Sequence, residues 1–412
     1  MTLASAQALG TVRSAPVAPG RGLLEMLPPD APLAWVQAGE GLVGWGCAAR
    51  LEVTGPNRFA QAEAWWRELV DGADVLDEVA VFGSGPVVFG SFSFDESQPS
   101  VLVVPEVVLG HSAGRWWMTV QGASGSHDLR PATAPRSPGV VNYDDGSRSA
   151  SDWVQVVADA VRRIEAGDVA KVVLARDVEA RTEQPLDVRW PLQRLAEGYP
   201  QCWTFCIDGL LGATPEMLVR LEGQTATSRV LAGTLRRSGE AAQDERRGEA
   251  FPRSIKDVEE HGHGVTSVAD ALAKHCDRLE VPPAPFVLQL PNVMHLATDV
   301  TGRVIDGSSS LDLLASLHPS AAVCGTPRQV ALDVIREIEG LDRGRYAGPV
   351  GWMDARGEGE WGIALRCAQQ HPTDPHRLRL FAGCGIVAGS QPQDELAESN
   401  AKLLPMRTAL GS

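Results

Sequence analysis

No stretch of the chain stays apolar for the roughly 18 residues that a bilayer crossing needs. The most apolar region, Ala80 to Gly110, is interrupted by Gly, Pro, Asp95 and Glu96, and a membrane span is excluded. Cysteine is sparse and scattered, at 47, 202, 206, 276, 324, 367 and 384, with no CxxC pair and no Cys/His cluster of zinc-finger spacing. That leaves neither a disulfide framework nor a structural zinc site and fits a reducing cytoplasm. The opening MTLASAQALGTVRSAPVAPGRG lacks a basic start followed by an apolar core, so no secretory signal is expected. Basic residues are also short: 37 Lys and Arg face 52 Asp and Glu, a net charge of -15. Nucleic acid and anionic membrane faces require the opposite balance. An anionic substrate would need a local positive site built against the overall field.

What is present is a folding chain of 412 residues, 44% hydrophobic and 22% charged, with room for two or three domains or one large one. Residues 1–20 read as a loose tail. Apolar runs at Val87–Phe92 and Val101–Val104 predict strands, residues 59–70 a helix, and the Gly-, Ser- and Pro-rich stretch 122–145 a long loop. Trp153, Val156, Val157, Ala160, Val161 and Ile164 recur at helical spacing behind a possible Ser151 cap, with Gly167 at the far end. Lys171-Val-Val-Leu-Ala-Arg176 follows as a buried-type strand. Further strands are predicted at 203–208, 216–221, 225–231, 347–353, 361–367 and 377–382, and helices at 240–274, 309–316, 327–340 and 393–410. Strands and helices come in blocks and not in strict alternation, which predicts an α+β fold with large, mostly antiparallel sheets.

Four segments carry chemistry. Lys171 heads an apolar strand; it is either a solvated strand end or, inside a closed site, a base. Glu216 follows a Pro turn and precedes an apolar strand; it is either the strand's polar face or a carboxyl kept protonated in an apolar pocket, able to act as an acid. Glu260 and His261 fall within a predicted helix, and Glu395, Glu398 and Lys402 share one face of another. Those acids form either salt-bridged solvated faces or, converging from two helices, an oxygen-rich Mg2+ site. Gly383-Cys-Gly385-Ile-Val-Ala-Gly389 is spaced GxGxxxG, not GxGxxG, and has no room for a βαβ unit. It reads as a tight glycine turn that lets backbone N–H groups approach a ligand carboxylate.

Taken in order, these segments resemble the chorismate-utilising enzymes, which include isochorismate synthases, salicylate synthases and the large subunits of anthranilate and aminodeoxychorismate synthases. The likeness runs from about residue 150 to 406. It rests on Lys171-Val-Val-Leu-Ala-Arg, Thr214-Pro-Glu216, Leu231-Ala-Gly233-Thr234, Ser254-x-Lys-Asp-x-x-Glu260-His, Val293-Met-His295-Leu, Leu317-His-Pro, Gly325-Thr-Pro327, Gly348-Pro-Val-Gly, Ile363-Ala-Leu-Arg366, Gly383-x-Gly385-Ile-Val and Glu395-x-x-Glu398-x-x-x-Lys402. The resemblance implies an α/β sandwich of two large sheets flanked by helices. It implies one chorismate-binding domain over 21–412, with 21–145 as a variable subregion and 150–406 as the catalytic core.

The resemblance also implies Mg2+ held by Glu260 and Glu398, with Glu395 on metal-bound water, and substrate contacts from Gly233, Thr234, His295, Tyr346, Arg366, Gly385 and Lys402. Lys171 accompanies water attack at ring C2 in this group, with Glu216 protonating the departing C4 hydroxyl. The aminodeoxychorismate enzymes use a lysine nucleophile where this chain has Ala232. Pyruvate-eliminating members tend to have Thr where Ala322 stands, so the implied endpoint is isochorismate. The alternatives are salicylate synthesis, or a catalytically silent homologue that binds chorismate or a protein partner. A cytoplasmic monomer that needs no glutamine amidotransferase subunit is expected. Two departures stand out: Gly262-His263-Gly264 interrupts the helix after Glu260, and Cys384 replaces a usual Ala. Two helical glycines cost roughly 2 kcal/mol relative to alanine, so a loosened helix and weaker metal binding are expected.

Overall fold

A computed structural model describes residues 9–122, 132–253 and 255–411; the side chains of 232, 234, 253, 255–257, 259 and 260 lie outside the description. Among the described residues, two sheets of 13 and 10 strands form the framework. Every pairing between described strands is antiparallel except Thr11–Pro16 with Asp74–Asp77. The larger sheet runs from Val141–Asp145 through Lys171–Thr182, Arg377–Ile386, Cys367–Gln370 and the hairpin Trp203–Thr214. It then passes into strands from the N-terminal third, beginning with Leu33–Gln37. The smaller sheet likewise joins Val293–Val304, Thr225–Arg236 and Met217–Glu222 to Val87–Ser91 and Ser100–Val104. Trp35 from the first sheet donates its indole N–H to Glu360 of the second at 2.7 Å, a polar tie between the two layers.

Alternation along the strands decides what each layer buries. In Arg377–Ile386, Leu378, Leu380 and Ala382 pack with Leu403, Met406 and Leu410 of helix Pro392–Leu410, while Phe381 joins the core shared by the two sheets. Gly383 and Gly385 fall on the same face as Phe381, and there the absence of a side chain opens space for a site.

The strands expected at 87–92 and 101–104 and the helices expected at 59–70, 309–316, 327–340 and 393–410 are present within a residue or two. Five readings change. Thr11–Pro16, placed in the loose tail, is a strand paired on both sides, because Val12 and Ser14 alternate inward. Val141–Asp145, placed in the long loop, pairs with Lys171–Thr182; residues 123–131 of that loop lie outside the described residues. The helix behind Lys171 spans Ala150–Glu165 and is capped by Ser149, whose side chain accepts from Asp152 N. The helix expected at 240–274 is two, Ala241–Ala250 and Ile255–Leu272, separated around Pro252 as missing N–H groups dictate. The strand expected at 361–367 is split into Gly359–Ile363 and Cys367–Gln370. Helix Ile255–Leu272 runs unbroken through Gly262 and Gly264. A Cβ at Gly264 would lie 3.2 Å from Val230 Cγ1, so this glycine lets the helix sit close on strand Thr225–Arg236.

Candidate active site

The floor of one cavity is made by two neighbouring strands that present small residues. Val173 stands opposite Gly385 and Ala175 opposite Gly383, and all four line a cavity of about 310 Å³. Both glycines permit close approach: a Cβ at Gly385 would come within 2.9 Å of Lys171 Cε, and one at Gly383 within 3.0 Å of the Tyr346 hydroxyl and the Leu174 carbonyl. The Lys171 side chain therefore lies across Gly385 at one end of the floor, while Tyr346, stacked on Phe381 with centroids 5.1 Å apart, closes the other.

Glu216 enters from the smaller sheet. Its backbone carbonyl accepts from Ile363 N at 3.1 Å and its amide donates to Thr214 Oγ1 at 3.3 Å, so the turn after Pro215 is pinned on both sides. Burial raises its carboxyl to about 7, against the opposing pull of Arg366, Lys171 and Lys402. His295 donates Nδ1–H to the Gly233 carbonyl at 3.0 Å, a bond that places the ring proton on Nδ1. Burial, reinforced by the Arg366 guanidinium, takes His295 down to about 3, and the imidazole is neutral at physiological pH. Arg366, at the turn between two strands, and Ala347 both line the cavity with φ of 50° and 60°. Left-handed backbone at non-glycine residues is costly and clusters where side-chain direction matters.

Helix Pro392–Leu410 supplies the charged wall. Lys402 Nζ donates to Glu398 Oε1 at 2.6 Å and to the Gly383 carbonyl at 2.8 Å, anchoring the helix to the floor strand. Burial alone would raise the Glu398 carboxyl, but Lys402 overrides it and holds the group low. Glu395 is shifted up, by burial and then, against its bond from Ser390, by the neighbouring Glu398. Ligand atoms of Cys384, Glu395 and Glu398 lie within 4.8 Å of one another. Two carboxylates at that spacing fit one side of an oxygen-preferring Mg2+ shell; the soft thiol of Cys384 adds nothing such an ion favours.

The cavity brings together Lys171, Glu216, Gly233, His295, Ala322, Tyr346, Arg366, Gly385, Glu395, Glu398 and Lys402. Two expected members are not described there. The side chain of Glu260, in helix Ile255–Leu272, and that of Thr234, paired through its backbone with His295, lie outside the described residues. The segment from Gly383, read from sequence as a tight turn, has Gly383 and Gly385 inside strand Arg377–Ile386, paired with Ala175 and Val173; sequence reasoning missed the floor residues Val173 and Ala175, and missed Arg343, which also lines the cavity. The floor was readable as the two-residue alternation of Val173 with Ala175 against Gly383 with Gly385. Arg343 stands in a loop with no pattern to mark it.

Comparison with known proteins agrees with this geometry. Residues 34–411 match a family described as chorismate binding enzyme. The isochorismate synthase DhbC of Bacillus subtilis is 36% identical over 80% of this chain and 81% of its own length. The salicylate biosynthesis isochorismate synthase of Pseudomonas aeruginosa is 35% identical over 92% of this chain and 85% of its own length. The structure of MenF, the menaquinone-specific isochorismate synthase of Escherichia coli, superimposes with a TM-score of 0.81 at 25% identity, covering 97% of this chain and 94% of that one. With the match spanning both sheets and every wall of the cavity, the chain belongs to the chorismate-binding enzymes.

Proposed function

We propose that this chain is an isochorismate synthase, converting chorismate to isochorismate by adding water at ring C2 and releasing the hydroxyl at C4. The observation that carries the reading is the pairing of Lys171 and Glu216 on one cavity, with the Glu216 carboxyl shifted to about 7. One side chain must take a proton from the attacking water while another supplies one to the departing hydroxyl, which leaves as water. Lys171, stretched over Gly385, takes the first; Glu216, protonated because it is buried, gives the second. The exchange is reversible, since each group then holds what the return reaction needs. Arg366 and Tyr346 hold the carboxylate of the enolpyruvyl side chain, and neutral His295 orients the ring without adding charge.

Glu395 and Glu398 are suited to hold Mg2+, and the family resemblance adds Glu260 of helix Ile255–Leu272; the ion when bound would offset the charge of the ring carboxylate. Lys402 fixes Glu398 in position and adds positive charge inside an acidic protein. Water as the nucleophile removes the need for an amidotransferase subunit. Seven free cysteines suit work in the cytoplasm.

The relatives differ by name in the end product that their isochorismate serves and agree on isochorismate itself, which supports the reading. Ala322 lines the cavity and has no hydroxyl to orient the side chain for pyruvate loss, which favours stopping there over salicylate synthesis. The test is chromatography of the products formed from chorismate and Mg2+ near neutral pH. Isochorismate in equilibrium with chorismate is expected; salicylate as the dominant product, or anthranilate on adding ammonia, rejects the assignment.

A further inference from the structure

We propose that the buried Glu339–Arg343 ion pair is a positioning device for the reaction, substituting for a missing length of strand beside Lys171 and so fixing where the cavity walls stand. This rests on the reading of the cavity as the isochorismate-forming site.

Strand Lys171–Thr182 is paired on one edge with Arg377–Ile386 from Val172 to Arg181. Its other edge is covered by Val141–Asp145 only from Val178 onward and by Gly325–Thr326 only at Lys171 and Val172. Between those two partners the outward-facing backbone groups of Val173 and Ala175 have no strand to meet, and buried groups of this kind are rarely left unpaired. Side chains and a loop meet them instead. Val173 N donates to the Cys324 carbonyl at 2.9 Å. Arg343 Nη2 donates to the Val173 carbonyl at 2.7 Å, and Ala175 N donates to Glu339 Oε2 at 2.7 Å.

The same guanidinium grips Glu339 through Nε at 2.7 Å and Nη2 at 2.6 Å, and donates through Nη1 to the Val323 carbonyl at 3.0 Å. The Tyr346 amide donates to the Arg343 carbonyl at 2.9 Å. One ion pair, 3% and 1% exposed at its two side chains, thus joins the strand that bears Lys171, the residue after Ala322 and the turn that presents Tyr346. The guanidinium makes four bonds here, a bidentate pair to the carboxylate and one to each carbonyl; a lysine ammonium has three donors and no planar fork. Misplacement of reacting groups by about 1 Å is enough to cost ~10²-fold in rate.

The test compares wild type with Arg343→Lys and Glu339→Gln, assayed with chorismate and Mg2+ well below the melting temperature and with folding checked by near-UV circular dichroism. The control is Arg189→Lys. Arg189 is equally buried, is paired with Asp187 at 2.6 Å and donates to the carbonyls of Leu27 and Thr133, but it lies away from the cavity. Expected is a fall in kcat of ~10²-fold for Arg343→Lys with KM changed less than ~3-fold, and an unchanged kcat for Arg189→Lys even where Tm drops. If Arg343→Lys does not fold, the kcat of Glu339→Gln decides, since it keeps the volume and an acceptor for Ala175 N. Folded variants with wild-type kcat, or a control that loses as much, overturn the proposal. Wild type that makes no isochorismate rejects the functional reading and this inference with it; wild type that makes it beside undiminished variants rejects the clasp alone.

Discussion

Glu216 and Glu398 face the same cavity, yet their carboxyl groups are pushed in opposite directions. Both lose water on folding. Glu398 has an ammonium at 2.6 Å; Glu216 has Arg366, Lys171 and Lys402 acting on it as charges, and burial outweighs them. A cation in direct contact makes a permanent anion suited to holding metal, whereas cations held off leave a carboxyl poised to give up a proton. Composition could not have separated the two roles; the hydrogen bond from Lys402 to Glu398 does.

The largest expected effect strikes the anionic side. Chelation with EDTA should abolish turnover and added Mg2+ restore it, and Glu398→Gln should need far more Mg2+ and chorismate for half-maximal rate while its circular dichroism stays that of wild type. Full activity in chelator would remove the metal from this picture. On the proton-donating side, Glu216→Gln should lose roughly 10² to 10⁴-fold in kcat with a much smaller change in KM, and Lys171→Ala a loss of similar size. Near-normal rates in both would reverse the assignment of acid and base.

The pH dependence sharpens the contrast. Glu216 acts only when protonated, so with its carboxyl at about 7 the active form prevails below that pH and is lost as pH rises through it. Because the Lys171 base is common to both enzymes, the log of the wild-type kcat divided by that of Glu216→Gln should bend downward near 7 toward a slope of -1. A ratio flat from pH 6 to 9 would show that this carboxyl does not supply the proton. The smallest effect is expected at Ala322→Thr, which adds a hydroxyl to the cavity wall; pyruvate release, measured with lactate dehydrogenase, should rise modestly over an isochorismate-forming background.

Much of this site was legible as spacing. The i, i+3, i+7 placement of Glu395, Glu398 and Lys402 put three charges on one helix face, and the helix has its predicted extent. Lys171 and Glu216 were legible as polar residues at the ends of apolar strands, but nothing local says that strands so far apart in sequence face one cavity. The Glu339–Arg343 clasp was invisible for the same reason: its partners are backbone groups of Val173, Ala175 and Val323, which carry no sequence signature. Strand Thr11–Pro16 was lost because its half-buried alternation is short and contains a Pro at its end. Gly264 was legible only as a helix-propensity cost; that it also lies close against Val230 depends on a strand distant in sequence.

The two strands that make the cavity floor meet only across a long span of chain, Val173 with Gly385. Roughly 200 residues must leave the ribosome between them, about 10 to 40 s of synthesis at typical rates. Through that interval the nascent Lys171 strand carries Val172, Val173 and Leu174 with its principal pairing edge open, a surface prone to join other chains. Timing as well as stability should then govern the yield of active enzyme. Slower translation of the stretch between Ala175 and Gly383 at a fixed temperature lengthens that exposure and should lower the soluble fraction, and closure of this strand pair should be a late event in refolding, arriving together with the capacity to turn over chorismate.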